Sequence, residues 1–397
     1  MTTPFTITAS EMRGINRSAI LEIIRRESPI SRTLIAQKLN VSLATVMRIV
    51  DELIEEELVR LEGTSEWTGG RRRSLLEFNS DGQVVVGIDM GGTKMFGAVS
   101  DLGGRVLEEI ELSRHGTSGE LTYQRLVELI EALLSSQKIN GRRVRGIGVG
   151  VPAVTLHKEG IVVWSPSLKW RDYPLKTKLA GYFHYPITVD NDVNLAALGE
   201  QWFGAGQNCK NIVLIAIGTG IGAGVVIDGA LYRGANEASG EIGYLLPGRE
   251  FLGRRYEDFG ALENVASGTG IALRAREALK GQRDHSELEN LISEDVFEAA
   301  RHGETWAEAI IAETVDYLAI AIASIGAYFD PDVIILGGGV ARSSDLLLQP
   351  ILNRIEGTVP NLPRLVVSPL DRRAAVMGGI TTILHNTSDF YVVRKLS

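Results

Sequence analysis

Three glycine-rich segments of this chain have the composition of phosphate-binding loops. They lie at residues 89–94, 218–224 and 337–339, and each follows a run of apolar residues. Glycine lets backbone amides approach an anion closely, and threonine hydroxyls add further donors. A single loop of this kind is equally typical of a hairpin turn, but three in succession favour a nucleotide-binding cleft. The predicted nucleotide-binding residues are Asp89, Gly91, Gly92, Thr93, Lys94, Gly218, Thr219, Gly220, Gly222, Gly337, Gly338 and Gly339.

A short acidic motif, Asp190-Asn191-Asp192, supplies the candidate catalytic group. It follows the apolar run 187–189 and precedes a segment rich in alanine and leucine that predicts a helix. For Asp190 we expect the role of a helix cap. Asp192 is the better candidate for a general base, because a carboxylate at the mouth of the same cleft can accept the proton of a substrate hydroxyl during phosphoryl transfer.

The strands around these loops indicate the class of the nucleotide-binding domain. Residues 84–88 form a continuous apolar run that enters the first loop, and residues 95–99 continue as a second strand. The loop therefore joins two strands, whereas a Rossmann or Walker loop opens a helix. Residues 212–217 and the strand ending at Ile227 repeat the same unit around the second loop, which predicts a duplicated, two-lobed domain.

The first eighty residues have a different pattern, that of a helix-turn-helix. Apolar residues at helical spacing predict a helix that ends at Ser28-Pro29, and Ser31 and Ser42 are placed to cap two further helices. Asn40-Val41 provides the short turn between these two helices. The N-terminal part of the last helix is where side chains reach base edges. Its predicted DNA-binding residues are Ser42, Ala44, Thr45 and Arg48.

A basic segment lies between two alternating runs, at 58–61 and 75–78, that predict a hairpin. This is the arrangement of a wing, whose arginines contact phosphates or enter the minor groove. The alternative is a three-helix interaction module with a solvated basic loop, and the acidic run Glu55-Glu56-Glu57 is unfavourable for DNA. Helix spacing, capping and the placed arginines together favour DNA binding. The predicted DNA-binding residues of the wing are Arg71, Arg72 and Arg73.

The bulk composition restricts the classes of protein to which the chain can belong. The formal net charge is −8 over 397 residues, so DNA has to be bound through a local arrangement of arginines. The single cysteine, Cys209, excludes an intrachain disulfide and a cysteine-rich zinc site. The most apolar stretch, 309–329, is interrupted by Glu313 and Asp316 and predicts a buried helix, so no membrane contact is expected. Residues 1–10 lack the pattern of a signal peptide, and the cytoplasm is the expected location.

In combination, these motifs resemble the ROK family, which contains bacterial sugar kinases and sugar-responsive repressors. The resemblance covers nearly the whole chain. It implies an α/β fold of two lobes, the actin-like, hexokinase-like (ribonuclease H-like) ATPase fold, preceded by a winged helix-turn-helix domain. The implied domains are 1–80 for DNA binding, 82–200 for the first lobe, joined by a C-terminal helix near 374–390, and 201–373 for the second lobe. Its further motifs are Gly69-Gly70-Arg71-Arg72, Gly150-Val151-Pro152, Leu231-Tyr232-Arg233-Gly234, Gly240-Glu241-Ile242-Gly243 and Leu262-Glu263.

The resemblance also implies roles for individual residues. Asp192 corresponds to the general base that acts on a sugar hydroxyl. Asp89 is expected to place Mg²⁺ or its water, and Thr93 and Thr219 to lie near the phosphates of ATP, so ATP and Mg²⁺ are the implied cofactors. The implied sugar-binding residues are Asn191, Asp192, Glu241, Tyr244 and Glu263.

Departures from the family pattern affect the sugar pocket and the metal. Tyr244 stands where relatives have a histidine that touches the sugar, and Ser167 stands where they often have asparagine. The stretch 247–262 lacks the cysteines of the family's zinc cluster, and because structural zinc needs four N or S ligands, no zinc is expected. Without zinc, we expect this loop to fold by packing aromatic side chains together. These are Tyr244, Phe251, Tyr256 and Phe259.

Two functions of different classes follow from these observations. The first is a DNA-binding transcription regulator that binds operator DNA as a homodimer or tetramer and whose kinase-like domain senses a sugar or sugar derivative. The alternative is an ATP-dependent, glucokinase-like sugar kinase with a fused regulatory domain, which the complete set of phosphate-loop and carboxylate residues supports. A scaffold protein with an inactive cleft accounts for the missing zinc ligands but not for the intact phosphate loops.

Overall fold

The computed structural model describes residues 9–64, 74–114, 118–256, 260–282 and 284–385, and its first unit is a winged helix-turn-helix. The elements of this unit are α1 (Ala9–Glu27), β1 (Ile30–Ser31), α2 (Arg32–Leu39), α3 (Leu43–Glu55), β2 (Val59–Thr64) and β3 (Ser74–Phe78). The three strands form one sheet in the order β1-β3-β2. β2 and β3 pair antiparallel, which confirms the predicted hairpin.

Serine caps fix the starts of the two helices of the helix-turn-helix, as predicted. The Ser31 side chain accepts a hydrogen bond from the Leu34 amide, and the Ser42 side chain accepts one from the Thr45 amide. Asn40 ends α2 in the left-handed conformation, with φ of 50°. The apolar face of α3 is fully buried in the core of the unit. It consists of Val46, Ile49, Val50 and Leu53.

The first lobe is built on a five-stranded sheet. Its elements are β4 (Gln83–Met90), β5 (Lys94–Asp101), β6 (Val106–Ser113), α4 (Glu120–Leu134), β7 (Arg143–Val151), β8 (Val154–Leu156), β9 (Ile161–Ser165), β10 (Trp170–Tyr173), α5 (Leu175–Tyr182), β11 (Ile187–Asn191) and α6 (Asp192–Phe203). The large sheet has the order β11-β7-β4-β5-β6, and β8, β9 and β10 form a separate small sheet. Side-chain alternation along β4 sends Val84, Val86 and Ile88 into a core shared with α4 and α5, while Val85 faces the opposite side.

The second lobe is built on a sheet of the same size. Its elements are β12 (Ile212–Ile217), β13 (Ile221–Ile227), β14 (Ala230–Leu231), α7 (Ala261–Ala266), α8 (Gly268–Ala278), α9 (His285–Asn290), α10 (Ser293–Arg301), α11 (Thr305–Phe329), β15 (Val333–Gly337), α12 (Ser344–Ile355) and β16 (Leu365–Val367), followed by α13 (Ala374–His385). The sheet has the order β14-β13-β12-β15-β16.

The two five-stranded sheets have the same topology. β4 pairs antiparallel with β5 and parallel with β7, and β12 likewise pairs antiparallel with β13 and parallel with β15. This confirms the predicted repeat, and it confirms that each of the first two glycine-rich loops joins two antiparallel strands. The two loops therefore lie at equivalent positions, at the carboxyl ends of β4 and β12.

Two helices, α6 and α13, lie between the two sheets. Leu195 and Leu198 of α6 share a core with Ile212 and Leu214 of β12 in the second lobe. α13 packs against β4 and β7 of the first lobe and against α6. Consequently this pair of helices connects the lobes, and α6 begins at Asp192, the predicted catalytic residue.

α11 is long and apolar enough to cross a membrane by length and composition, but half of its most apolar window is buried. Ile310, Val315, Leu318 and Ile322 of this helix belong to the core of the second lobe. The prediction of a buried helix in this region is therefore confirmed.

Candidate functional site

The first glycine-rich loop is held by an arginine that sequence reasoning missed. Arg114 is 5% exposed, and its Nε and Nη2 donate to the carbonyl oxygens of Gly91 (3.2 Å) and Gly92. Its Nη1 donates to the Ser167 carbonyl oxygen (3.0 Å). The backbone amide of Arg114 donates to the Thr93 carbonyl oxygen (2.9 Å). Arg114 follows β6, and it reaches the loop only because β6 pairs beside β5. No local pattern in the sequence marks it.

The three predicted phosphate loops meet in one cleft. A Cβ added to Gly92 would lie 3.1 Å from Oγ1 of Thr219, so the first and second loops are in close contact. Thr93 and Thr219 are both exposed. A Cβ added to Gly338, whose φ is 83°, would lie 2.4 Å from the Ile217 carbonyl oxygen, so the third segment contacts the start of the second loop. Of the other predicted glycines in these loops, Gly218 and Gly220 lie in the β12–β13 turn, Gly222 lies in β13, and Gly337 and Gly339 lie at and just after the end of β15.

One predicted nucleotide-binding residue is engaged elsewhere. Lys94 Nζ lies 2.7 Å from Oε1 of Glu111 on β6, and its side chain is 60% exposed. The lysine therefore forms an ion pair on the first sheet.

The N-terminus of α6 carries the predicted catalytic and sugar-binding pair. Asn191 is the N-cap, since its Oδ1 accepts from the Asn194 amide (2.9 Å), and its Nδ2 donates to the Ala153 carbonyl oxygen (3.2 Å). Asp192 is the first residue of the helix, and its Oδ1 accepts from the Val193 amide (2.9 Å). Both side chains are thus oriented by backbone groups of the first lobe and of α6.

The prediction that Asp190 caps this helix is wrong. β11 continues through Asn191, which leaves the cap position to that residue, and Asp190 is buried in an ion pair with Arg233. The two N–O distances of this pair are 2.9 Å and 2.6 Å. Arg233 Nη1 also lies 3.5 Å from Glu237, whose carboxylate contacts His157 Nδ1 at 2.9 Å. The Asp190–Arg233 ion pair and the contacts of Glu237 link a loop of the second lobe to the first lobe, beside Asn191 and Asp192.

Two carboxylates from the second lobe complete the polar cluster. Glu263 on α7 accepts hydrogen bonds from the Ile221 amide (3.1 Å, to Oε1) and from the Gly260 amide (3.4 Å, to Oε2). These contacts fix it beside the second glycine-rich loop. Glu241 immediately precedes a short 3-10 helix; part of the residue is exposed, while protein surrounds its carboxylate closely enough to raise its pKa.

Electrostatic effects identify the four acidic residues as neighbours. Burial, and then the charge of Asp192, raise the pKa of Asp89 to about 8. Burial raises the pKa of Asp192 to about 6; the Val193 amide opposes this rise, and the charge of Glu241 adds to it. Burial also raises the pKa values of Glu241 and Glu263, and the charge of Glu241 adds to the rise at Glu263. A carboxylate with a pKa near neutrality is suited to general acid–base work.

Tyr244 borders the same cluster. It is 63% exposed, and burial of part of the ring, together with the charges of Glu241 and Glu263, raises the pKa of its phenol. The prediction that it packs into an aromatic cluster of its loop is therefore wrong, because its ring faces solvent beside the carboxylates.

The loop that lacks zinc ligands is instead anchored by Phe251. This residue is 5% exposed, and its ring packs edge-on against Tyr317 of α11, with centroids 5.9 Å apart and planes at 90°. The guanidinium carbon of Arg254 lies 5.5 Å from the centroid of the same ring. Tyr256 is half-buried, and Phe259 lies outside the described residues.

The N-terminal face of α3 is open to solvent. Ser42, Ala44 and Arg48 are exposed, and Thr45 is half-buried with its hydroxyl 2.8 Å from that of Ser42. This is the part of a recognition helix that reaches base edges. The predicted wing residues, which lie outside the described residues, are Arg71, Arg72 and Arg73.

Two of the acidic residues at the cleft suit a Mg²⁺ ion that would also bind the phosphates of a nucleotide. Within the described part of the chain, no group of three or more His, Cys, Asp or Glu side chains is placed to hold a metal ion. Mg²⁺ commonly binds through one or two carboxylates and the phosphates of a substrate, and Asp89 and Asp192 offer such carboxylates. Gly92 of the first loop lies beside the Thr219 side chain of the second, so amides and a hydroxyl of both loops are available to the same phosphate group.

Comparison with known proteins gives two matches to family models. The model described as "ROK family" matches residues 85–383. The model described as "Winged helix-turn-helix DNA-binding" matches residues 15–60.

Individual relatives are similar over most of the chain. A xylose repressor of Caldicellulosiruptor bescii is 30% identical over 390 residues, which cover 96% of this chain and 98% of the repressor. A glucokinase of Halalkalibacterium halodurans is 34% identical over 315 residues, which cover 74% of this chain and 93% of the glucokinase. The solved structure of a ROK family transcriptional regulator, described as a homolog of the E. coli MLC protein, matches with a TM-score of 0.82 and 26% identity, covering 94% of this chain and 97% of its own. These matches confirm the two-lobed α/β fold preceded by a winged helix.

Proposed function

Because this chain belongs to the ROK family, we propose that it is a DNA-binding transcription regulator whose kinase-like domain senses a sugar or a sugar derivative. The observation that carries the proposal is the presence of two units in one folded chain. One is a helix-turn-helix whose recognition helix has an exposed N-terminal face, and the other is a cleft lined by glycine-rich loops and four carboxylates.

The DNA-binding surface in this proposal is the N-terminal face of α3 together with the wing. Ser42, Ala44, Thr45 and Arg48 are the candidates for contacts with base edges. Arg71, Arg72 and Arg73 are the candidates for contacts with phosphates or with the minor groove. As a protein that binds DNA, the regulator is expected in the cytoplasm.

The ligand site in this proposal lies between the N-terminus of α6 and the carboxylates of the second lobe. A sugar presents several hydroxyl donors, which fixed carboxylate and amide oxygens can accept. Asn191 and Glu263 are held by backbone hydrogen bonds and supply such acceptors at fixed positions. Asp192 and Glu241 supply further acceptors, and the exposed ring of Tyr244 offers an apolar surface for a sugar ring.

ATP with Mg²⁺ is a cofactor that the same cleft has the residues to hold. The amides and hydroxyls of the three glycine-rich loops would contact the nucleotide, and Asp89 would hold the metal ion or its water. When bound, ATP supplies a transferable phosphoryl group. In the regulator it serves as a second ligand that favours one closure state of the lobes.

A symmetric homodimer or tetramer is the proposed assembly, because most soluble oligomers are homo-oligomers with closed symmetry. Its operator is then a pseudo-palindrome, with half-sites one or more helical turns apart, at about 34 Å per turn. A sugar that favours one lobe closure changes the spacing of the two winged helices and hence the affinity for the operator.

Operator affinity measured with and without sugars tests the regulator. We expect at least one sugar of a pentose and hexose panel to change the Kd for operator DNA, and binding to weaken as salt rises because phosphate contacts release counterions. An operator affinity that no sugar changes would contradict the proposal.

A sugar kinase is the second candidate, favoured by the set of phosphate loops and by the raised pKa of Asp192. The glucokinase relative is similar over 74% of this chain. Deprotonated Asp192 would accept the proton of the attacking sugar hydroxyl, so turnover is expected to rise with pH through about 6. A coupled ATP-consumption assay on a hexose panel tests this, with Asp192→Asn as the control. Turnover equal in the two proteins would rule out Asp192 as the base.

A further inference from the structure

α6 begins in the ligand cleft and ends at a contact with the DNA-binding unit. Its N-terminus carries Asn191 and Asp192, and its 12 residues span about 18 Å. Near its other end, Trp202 is 5% exposed and belongs to an apolar cluster that contains Ile20 and Ile24 of α1 and also residues of β4 and α13. One rigid element therefore contacts both the ligand site and the DNA-binding unit.

An oriented arginine of α1 holds Trp202 against the winged helix. The guanidinium carbon of Arg25 on α1 lies 4.3 Å from the centroid of the Trp202 ring. Glu22 accepts two hydrogen bonds from this guanidinium, each at 3.0 Å, and so fixes its orientation. The Arg25 side chain is only 17% exposed, and a cation–π contact is stronger when it is shielded from water.

The middle of α6 crosses α13 with the two backbones in contact. A Cβ added to Gly199 would lie 2.1 Å from the Ala374 carbonyl oxygen, and one added to Gly378 would lie 1.8 Å from the Leu195 carbonyl oxygen. No side chain separates the helices at these two points. Because close-packed backbones cannot deform freely, a displacement at one end of α6 is transmitted along the helix to its other end.

We propose that α6 is a lever that couples the ligand cleft to the winged helix, with its crossing of α13 as the pivot. Ligand contacts at Asn191 and Asp192 tilt α6, and Trp202 transmits the tilt to α1 through Arg25. This inference rests on the proposed function, because it specifies how a sugar in the cleft changes the affinity for DNA.

Arg25→Ala tests the lever, because it removes the cation–π contact and leaves the apolar core intact. Arg171→Ala is the matched control, since Arg171 lies 4.5 Å above the ring of Trp164 on the small sheet of the first lobe. The full-length proteins bind a fluorescent duplex selected from a random-sequence library, and anisotropy gives the Kd with and without D-xylose or D-glucose. Titration calorimetry gives the affinity for each sugar.

The expected result is a loss of coupling without a loss of binding. In the wild type and in Arg171→Ala, the sugar changes the Kd for DNA by a factor of about 5 to 150, the usual range for allosteric coupling. In Arg25→Ala this factor falls below about 2, while the affinity for sugar stays at the wild-type value.

Two negative results are distinguishable. An Arg25→Ala protein that binds sugar and keeps the wild-type factor overturns the lever. A wild type that binds the duplex but responds neither to these two sugars nor to any other of the pentose and hexose panel overturns the proposed function, and the lever with it. Should Arg25→Ala fail to fold, Trp202→Phe keeps an aromatic ring in the core and gives the same test, in which a smaller factor supports the lever and an unchanged factor overturns it.

Discussion

Asp192 is ionised at neutral pH at a cost in stability. Its pKa of about 6 in the folded protein lies above the ordinary value of 3.8, chiefly because of burial. The native state therefore binds the proton more tightly than the unfolded chain does. The contribution of this group to stability is greatest below about pH 4 and is lost as the pH rises through about 6.

Asp192→Asn is expected to stabilise the protein at pH 8. The amide oxygen keeps the hydrogen bond from the Val193 amide, and the buried charge beside Asp89 is removed. Scanning calorimetry should show a rise in Tm of about 2–4 °C. This is the shift that about 1 kcal/mol produces in a domain of about 150–250 residues. The difference should vanish near pH 4. The exposed Glu159→Gln is the control, and a variant no more stable than wild type at pH 8 would contradict the raised pKa.

Arg114→Ala is expected to weaken both the fold and the phosphate cleft. The carbonyl oxygens of Gly91, Gly92 and Ser167 lose a buried charged donor. We expect the free energy of unfolding in urea to fall by about 2–4 kcal/mol. The affinity for a non-hydrolysable ATP analogue should fall at the same time. The exposed Arg143→Ala serves as the control. Equal losses of stability and of nucleotide affinity in the two variants would show that Arg114 does not hold the loop.

At the scale of single elements, α3 shows how local sequence signals define a DNA-binding surface. Ser42 caps the helix, the apolar positions bury one face, and Arg48 remains exposed on the side that carries Ala44. The helix is thus fixed by its own cap and by packing, which leaves the polar face free for a partner.

Arg48→Ala is expected to weaken operator binding about 10- to 100-fold, the effect of losing one base contact. The binding isotherm is measured at fixed salt, because phosphate contacts make the affinity salt-dependent. Lys280→Ala, which removes an exposed charge on the second lobe, controls for net charge. If both variants bind like the wild type, α3 does not read the DNA through Arg48.

At the scale of the whole molecule, Glu56 ties the winged helix to the first lobe. Its carboxylate lies 2.8 Å from Arg17 of α1 and 2.8 Å from Arg145 of β7. Gln83 Nε2 donates to its carbonyl oxygen at 2.6 Å. The acidic run that contains Glu56 was unfavourable for DNA binding in the sequence. In the structure Glu56 follows the C-terminal end of α3, away from its exposed N-terminal face, and contacts the first lobe. Burial would raise its pKa, but Arg145 and Arg17 outweigh burial and lower it.

Glu56→Gln is expected to lower the Tm at pH 7, because it leaves two partly buried arginines without their shared carboxylate. Since the pKa of Glu56 is lowered on folding, its contribution is present above its ordinary value of 4.5 and is lost as the pH falls below that value. We expect a decrease in Tm of about 2–4 °C at pH 7. The decrease should shrink toward pH 3. The control is Glu55→Gln at the neighbouring exposed position, whose Tm should stay close to that of the wild type. Equal changes in Tm for both variants would contradict a stabilising contact between Glu56 and the two arginines.

The sequence by itself determined the features that depend on neighbours along the chain. The serine caps at Ser31 and Ser42, the strands that enter the glycine-rich loops and the repeat of β4–β5 in β12–β13 all follow from local spacing. They could be predicted because a cap, a turn or an alternating strand is set by residues a few positions apart. The same holds for Asp192 at the start of its helix.

Only the tertiary structure decided which distant side chains meet. Asp190 and Arg233 are 43 positions apart, and Glu56 and Arg145 are 89 positions apart. Asp190 was expected to cap a helix and Tyr244 to pack in its loop, and each is placed otherwise by elements remote in the chain. Whether two distant side chains form an ion pair, or whether a side chain is buried, depends on how the sheets and helices assemble. The spacing of residues along the chain does not determine the distance between such side chains.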